Sequence, residues 1–186
     1  MQRAVEIPGL TVDVDVEGIE TGAALLEGAP HDLPHGLEDA HGLGAATWVT
    51  DEPLPHLRRA AGYIAWTPLE PGHGCPITMT YASVPALRSD DALAKEWTDL
   101  LASTSYDFGL REPHTKRGLL AGMGMTEKQG GSDVRANTTR AAVEPGGPMP
   151  GDTYRLTGHK WFCSAPMSDV FLVLAKTSLE AAPSCF

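Results

Sequence analysis

The groups best able to do chemistry in this sequence lie in one loop, residues 123–134. Within it, residues 126–133 read TEKQGGSD and bring together hydroxyls, carboxylates, an ammonium, an amide and two glycines. Gly130 and Gly131 have no Cβ, so a flat ligand can approach the backbone, whose N–H groups are exposed donors in such a loop. The pattern favours a cofactor-binding loop, and an ordinary polar hairpin turn is the alternative.

A second segment, residues 158–164 (GHKWFCS), follows about one hairpin later. Trp161 and Phe162, followed by Cys163 and Ser164, place an aromatic ring and a hydroxyl at the end of a predicted strand. A planar heteroaromatic cofactor needs a ring to pack against and donors for its edge atoms. Alone, this segment would suit the edge of a hydrophobic core. Taken together, the two segments favour cofactor binding.

Other kinds of site find little support in the sequence. Gly122 and Gly124 form a lone GxG outside any βαβ unit, and the chain has neither a Gly-Lys-Ser/Thr phosphate loop nor a G-x-S-x-G nucleophile elbow. His73 and Cys75 are the only close His/Cys pair, whereas a zinc site needs about four ligands. We therefore expect no metal site and interpret the histidines as surface or core residues.

Two helices are predicted in the first half of the chain. Residues 58–66 (RRAAGYIAW) form one, which ends at Pro68 and residues 71–72. The other begins near Ser89 as N-cap, with Asp90 and Asp91 as favourable acids of the first turn. Its apolar face is formed by Leu93, Trp97, Leu100 and Leu101.

After Lys116 the pattern changes to short strand-like segments. We expect strands in residues 119–125, 138–144, 153–157, 160–163 and 170–176, with a long turn at 145–152. Earlier in the chain, residues 10–16 also alternate like a strand. The order of helices and then strands predicts an α+β fold with an antiparallel sheet or barrel. Three regions follow: 1–57, poorly defined and rich in Gly, Pro and His; 58–116, helical; and 117–186, β.

Composition limits the function classes. The 186 residues carry a net charge of −10, which disfavours a general nucleic-acid surface. Three cysteines without paired spacing indicate reduced thiols. The first residues lack a secretion signal, and no apolar run approaches the roughly 18 residues that span a bilayer. We expect a cytoplasmic protein that makes no membrane contact.

The two segments resemble those of the acyl-CoA dehydrogenase family, whose flavin loop reads T-E-P-x-A-G-S-D and whose later strand ends in W-I-T. Lys128 and Gly130 replace the family's proline and alanine and are typical of its alkylation-response (AidB-like) branch, as are residues 75–81, 116–118, 137–140 and 158–162. The resemblance covers about residues 58–186 and implies FAD as cofactor. The implied contacts are Met123, Gly124, Met125, Thr126, Glu127, Lys128, Gln129, Gly130, Gly131, Ser132, Phe162, Cys163 and Ser164.

In that resemblance the Thr126 hydroxyl and nearby N–H groups bond the flavin edge. Phe162 takes the family's tryptophan position, Ser164 supplies its threonine hydroxyl, and Ser132 lies at the boundary of flavin and substrate. The implied fold is a partial N-terminal helical domain followed by the first strands of an antiparallel β-barrel-like middle domain. The resemblance also implies a C-terminal helical domain beyond these 186 residues, so we expect the chain to be an N-terminal fragment.

The implied reaction is α,β-dehydrogenation of an acyl thioester, such as an acyl-CoA. Its carboxylate base comes from the C-terminal domain, so no catalytic residue is expected here. The full-length family implies a homo-oligomer, a tetramer, and DNA contact only through the missing C-terminal region. Two alternatives stay open: a DNA-protective flavoprotein with vestigial dehydrogenase activity, and a non-functional remnant. We expect weak or no FAD binding by the fragment alone.

Overall fold

The computed structural model describes residues 5–7, 10–12, 42–105, 107, 109, 111–143 and 153–186. The predicted turn at 145–152 and the end of the strand-like stretch at 13–16 lie outside these residues. The chain divides into two compact units. The strand unit holds the described parts of Met1–Glu20, Met123–Cys163 and Leu172–Phe186, and the helical unit those of Thr21–Gly122 and Ser164–Phe171.

Three α-helices build the helical unit: α1 (Pro55–Trp66), α2 (Gly74–Leu87) and α3 (Asp91–Leu101). The prediction of a helix at 58–66 is confirmed, and Pro55 extends it because proline suits the first helical turn. Helix α2 was not predicted. It buries Thr80 and Ser83 as well as Ile77, Met79 and Val84, so polar and apolar residues share its inner side and no amphipathic stripe marks it.

Helix α3 differs from its prediction in two details. Its N-cap is Asp90, not Ser89: the Asp90 carboxylate accepts hydrogen bonds from the N–H groups of Ala92 (2.9 Å) and Leu93 (3.1 Å). The Ser89 hydroxyl instead donates to a carbonyl of the preceding helix. Leu93 is 43% exposed, so it does not belong to the inner face of α3. That face consists of Leu101 and Thr98, which are buried, and of Trp97 and Leu100, which are partly buried against the core.

The core of the helical unit gathers Ala45, Val84, Leu101, Leu119 and Ala121, which are all buried. Beside them, the Lys116 ammonium bonds the Asp169 carboxylate, and the two side chains are 2% and 3% exposed. The other Asp169 oxygen accepts a hydrogen bond of 3.0 Å from the N–H of Leu120. These contacts fasten residues 164–171 to the end of the 42–122 segment.

Seven short strands complete the described structure. They are β1 (Val5–Ile7), β2 (Leu10–Val12), β3 (Ala121–Gly124), β4 (Arg140–Val143), β5 (Tyr154–Thr157), β6 (Val170–Ala175) and β7 (Ser184–Cys185). Three pairs are antiparallel, namely β1 with β2, β4 with β5, and β6 with β7. Strands β3, β6 and β7 form one sheet with β6 in the middle. Helices and antiparallel strand pairs in separate parts of the chain confirm the α+β class, although β1 and β2 precede the helices.

The strand predicted at residues 160–163 is wrong. Phe162 has a φ of +56°, which is incompatible with extended backbone, and the segment is irregular. The other four strands predicted after Lys116 are present with shorter limits. A parallel bridge between Arg140 and Lys176 joins β4 to the residue after β6, so the strand pairing is not purely antiparallel.

Candidate cofactor-binding site

The two segments that the sequence analysis selected meet in the strand unit. The N–H of Trp161 donates a hydrogen bond of 2.9 Å to the carbonyl oxygen of Thr126. Both segments are irregular at these residues, so this hydrogen bond is not part of a regular strand pairing. The contact brings the glycine-containing loop beside the aromatic segment, as the sequence predicted for a shared site.

The loop turns tightly at its glycines. The N–H of Gly130 donates to the carbonyl of Glu127 at 2.9 Å, and Gly130 has a φ of +108°, a conformation that favours glycine. A Cβ on Gly131 would lie 3.1 Å from the Thr126 hydroxyl oxygen. Glycine at 131 therefore leaves room around the hydroxyl that the sequence analysis assigned to cofactor binding.

Hydrogen-bonding groups of the loop are available to a ligand. Among the described residues, the Thr126 hydroxyl has no hydrogen-bond partner, and the same is true of the N–H groups of Lys128, Gly131 and Ser132. Thr126 is half-buried, whereas the other three residues lie at or near the surface. Such donors suit a ligand whose edge carries acceptor atoms.

Phe162 presents its ring to solvent from a strained backbone. It is 75% exposed, although it is a large apolar residue, and its φ of +56° is rare outside glycine. Its ring contacts Trp161 edge-on, with centroids 5.6 Å apart, and the Lys128 ammonium lies 5.8 Å from the centroid of the Trp161 ring. Strain of this kind clusters at ligand sites.

The Glu127 side chain points inward instead. It is 3% exposed, and its carboxylate accepts hydrogen bonds from Thr138, Thr139 and Lys160. Burial alone would raise the pKa of Glu127, but the bonds from Thr139, Thr138 and Lys160 outweigh it and hold the pKa well below the usual range. The carboxylate is thus ionised and saturated within the protein.

Several residues at this site had no role assigned from the sequence. Thr138, Thr139 and Lys160 surround Glu127, and the Asn137 side-chain amide donates to the carbonyl of Met125 at 2.9 Å. Lys160 and Asn137 are both buried. The bonded residues are 11 to 33 positions apart in the sequence, and no local sequence pattern predicts hydrogen bonds over such separations.

The remaining candidates occupy different surroundings. Met123 and Gly124 belong to β3, and a Cβ on Gly124 would lie 3.4 Å from Lys160 Cγ. The Gln129 amide lies 3.4 Å from both Glu127 and Asn137 oxygens. Burial raises the pKa of the Cys163 thiol, and Lys160 partly opposes that rise. Ser164 is exposed, and it belongs to the helical unit, where it begins the segment Ser164–Phe171.

Within the described residues, no cluster of three or more His, Cys, Asp or Glu side chains is arranged to hold a metal ion. None of the helices in these ranges has the length and apolar character to cross a membrane.

Comparison with known families accounts for most of the sequence. Residues 30–108 match the N-terminal domain of the adaptive response protein AidB, and residues 122–186 match the middle domain of acyl-CoA dehydrogenases. The chain is also 51% identical over 132 residues to AidB of Escherichia coli (strain K12), whose name assigns it provisionally as an acyl-CoA dehydrogenase. The chain belongs to the acyl-CoA dehydrogenase family. Within the family it is similar to the AidB-like branch, as the sequence resemblance indicated.

Another relative is acyl-CoA dehydrogenase family member 11 of Caenorhabditis elegans, which is 40% identical over 102 residues. The AidB match covers 70% of this chain and 23% of AidB, and the Caenorhabditis match covers 55% and 15%. This acyl-CoA dehydrogenase family chain therefore spans at most about a quarter of the length of the curated relatives it matches.

Two solved structures are similar to this family member. ACDH-11 of Caenorhabditis elegans, crystallised in complex with C11-CoA, has a TM-score of 0.59 and 28% identity, over 81% of this chain and 24% of the other. The apo form of Bd2924 has a TM-score of 0.63 and 30% identity, over 80% of this chain and 28% of the other. Both support the α+β arrangement described above.

Proposed function

We propose that this chain supplies FAD-binding residues of an oxidoreductase of acyl-CoA dehydrogenase type, which acts on CH–CH groups. The observation that carries the proposal is the bond of 2.9 Å between Trp161 N–H and the Thr126 carbonyl. It joins the donor-rich loop to Trp161, the neighbour of Phe162, and we expect a flat ligand to contact both the loop and the exposed Phe162 ring. Family membership supports FAD as that ligand.

The chain's own residues fit such a cofactor. The Thr126 hydroxyl and the N–H groups of Gly131 and Ser132 would donate hydrogen bonds to acceptor atoms of the ring edge. Phe162 would pack against a ring, and its exposed face would lose contact with water. When bound, FAD would accept a hydride during substrate oxidation, and fixed donors at its edge stabilise negative charge without reorganisation.

The substrate class follows from the relatives. ACDH-11 was crystallised with C11-CoA, which supports an acyl-CoA-like substrate for the whole protein. The family resemblance locates the catalytic base in a C-terminal domain, so we propose no catalytic residue in these 186 residues and expect the chain alone to be inactive. Tetramer formation, cytoplasmic location and a DNA-protective role in the alkylation response stay predictions. The net charge of −10 gives the DNA role no support from this chain.

Titration of the isotope-labelled full chain with FAD, followed by NMR, tests the proposal. We expect weak saturable binding, with a Kd on the order of 100 µM, because only part of the family's cofactor surroundings is present. Amide signals of residues 126–132 and 161–162 should shift together with one Kd. The Thr126→Val variant, which loses the hydroxyl, should bind about tenfold more weakly.

Two controls define failure. The Thr50→Val variant removes an exposed hydroxyl in the helical unit and should leave FAD affinity unchanged. NAD, which shares the adenosine diphosphate part of FAD, should not shift the signals of residues 161–162. If millimolar FAD leaves both segments unshifted, this chain does not bind FAD and the proposal is wrong.

A further inference from the structure

Glu127 lies in the proposed cofactor loop, yet its carboxylate has no capacity left for a ligand. Oxygen Oε1 accepts hydrogen bonds from the N–H of Thr139 (2.9 Å), the Thr139 hydroxyl (2.6 Å) and Lys160 Nζ (3.1 Å). Oxygen Oε2 accepts from the N–H of Thr138 (2.7 Å), the Thr138 hydroxyl (2.9 Å) and the Gln129 amide (3.4 Å). A carboxylate offers about four acceptor sites, so this one is saturated.

The same residue is bonded through its backbone within the loop. Its carbonyl accepts the Gly130 N–H at 2.9 Å, which closes the turn before Gly131. The preceding carbonyl, that of Thr126, accepts the Trp161 N–H, and the carbonyl of Met125 accepts the Asn137 amide. Residues 125–130 are therefore fastened at three successive positions to 137–139 and 160–161.

Of the three contacts that fasten the loop, the one made by Glu127 tolerates substitution least, because it pairs two buried charges. Lys160 is 6% exposed, so its ammonium depends on the carboxylate for compensation. A glutamine at 127 would turn an N–H₂ group toward surrounding donors, because four of the five other partners are N–H or O–H groups of Thr138 and Thr139. The loop would then have to move away from these residues.

We propose that Glu127 is a positioning residue: its buried carboxylate, paired with Lys160, fixes the shape in which the loop offers Thr126 and Gly131 to the cofactor. The role in cofactor binding rests on the proposed FAD function, whereas the fixing of the loop does not depend on it. Glu127 itself makes no side-chain contact with the ligand.

Amide hydrogen exchange of the full chain without FAD tests the fixing of the loop. In the Glu127→Gln variant, exchange at Thr138 and Thr139 should rise about tenfold or more, because these N–H groups lose the carboxylate that accepts them. Exchange at Gly130 should rise with it, because the turn that its bond to the Glu127 carbonyl closes is no longer fastened to residues 138–139. The Thr138→Val variant should raise exchange at the loop, and Thr138→Ser, which keeps the hydroxyl, should restore slow exchange. In Glu52→Gln, a change at an exposed ion pair, the loop should exchange as in the wild type.

FAD titration of the same variants tests positioning. Glu127→Gln should weaken FAD binding about tenfold, and Thr138→Ser should bind like the wild type. Val84→Ala, which opens a cavity at a fully buried core residue of the helical unit, provides a destabilised variant that should keep wild-type affinity.

The outcomes separate the two proposals. Unchanged exchange at residues 130, 138 and 139 in Glu127→Gln overturns the fixing of the loop, whether or not FAD binds. Faster exchange with undiminished FAD affinity, or equal loss of affinity in Val84→Ala, overturns the positioning role. If the wild type fails to bind FAD, the proposed function fails, and the exchange data still decide whether Glu127 fixes the loop.

Discussion

A Cβ atom on Gly131 would stand 3.1 Å from the hydroxyl oxygen of Thr126 and 3.6 Å from its methyl carbon. The 3.6 Å distance is an ordinary contact, but at 3.1 Å the Thr126 hydroxyl would have to shift by a few tenths of an ångström. The two residues are five positions apart, yet the turn closed by the Gly130 N–H returns the chain onto Thr126. The sequence of the loop therefore sets the space around the proposed flavin-bonding hydroxyl.

Gly131→Ala should weaken FAD binding by about five- to tenfold, because the added methyl group displaces or covers the Thr126 hydroxyl. NMR titration with FAD gives the measurement. Gly72→Ala is the matched control, since its Cβ would lie 2.9 Å from Glu70 Oε1, the far end of an exposed side chain. That side chain can move, at the cost of the bond that it accepts from the Gly72 N–H and without effect on the strand unit. Equal affinities in wild type and Gly131→Ala would contradict this role for the glycine.

Phe162→Gly should leave the free energy of unfolding unchanged or raise it by up to about 1 kcal/mol, because glycine adopts positive φ without strain. The same variant should bind FAD more weakly, since the exposed ring is gone. Urea denaturation and FAD titration measure the two effects. Leu54→Gly is a matched control with φ of +52° and 68% exposure, and it should match the stability effect only. A large loss of stability in Phe162→Gly would assign the ring to packing.

The stability contributed by Glu127 should decline in acid. The folded state holds the pKa of this carboxyl below its unfolded value, so the contribution is complete above the ordinary glutamate pKa of about 4.3 and is lost as the pH falls below it. Urea denaturation at pH 7, 5, 4 and 3 should show a steeper loss in the wild type than in Glu127→Gln. Parallel pH profiles would rule out this linkage.

Removal of one member of the buried Lys116–Asp169 pair should be costly. Lys116→Met leaves an uncompensated carboxylate and should lower the free energy of unfolding by about 3–5 kcal/mol. The double variant Lys116→Met/Asp169→Asn should recover much of that loss, because asparagine can still accept the Leu120 N–H. For comparison, Glu52→Gln at the exposed Arg58 pair should cost no more than about 1 kcal/mol. Additive single effects at the buried pair would contradict the coupling.

Local patterns predicted some parts of this molecule and missed others. Helix α1, helix α3 and four of the strands follow from periodicity and capping residues. The sequence also singles out residues 126–133 and 161–162, which the Trp161 N–H and the Thr126 carbonyl bring together; their role in binding a ligand stays a prediction. Helix α2 escaped detection because Thr80 and Ser83 are buried beside apolar residues. The inward orientation of Glu127 depends on Thr139 and Lys160, 12 and 33 residues away, and no local pattern encodes such contacts.

The pair of Lys116 with Asp169 also has a consequence for the order of synthesis. The two residues are separated by 53 positions, and a ribosome adds them about 3–10 s apart at roughly 5–20 residues per second. Helices α1 to α3 thus emerge from the ribosome while the Lys116 ammonium has no partner. The helical unit can complete this ion pair only after the strand-unit residues between Lys116 and Asp169 have been made. A nascent chain halted before Asp169 should remain sensitive to protease in residues 116–122.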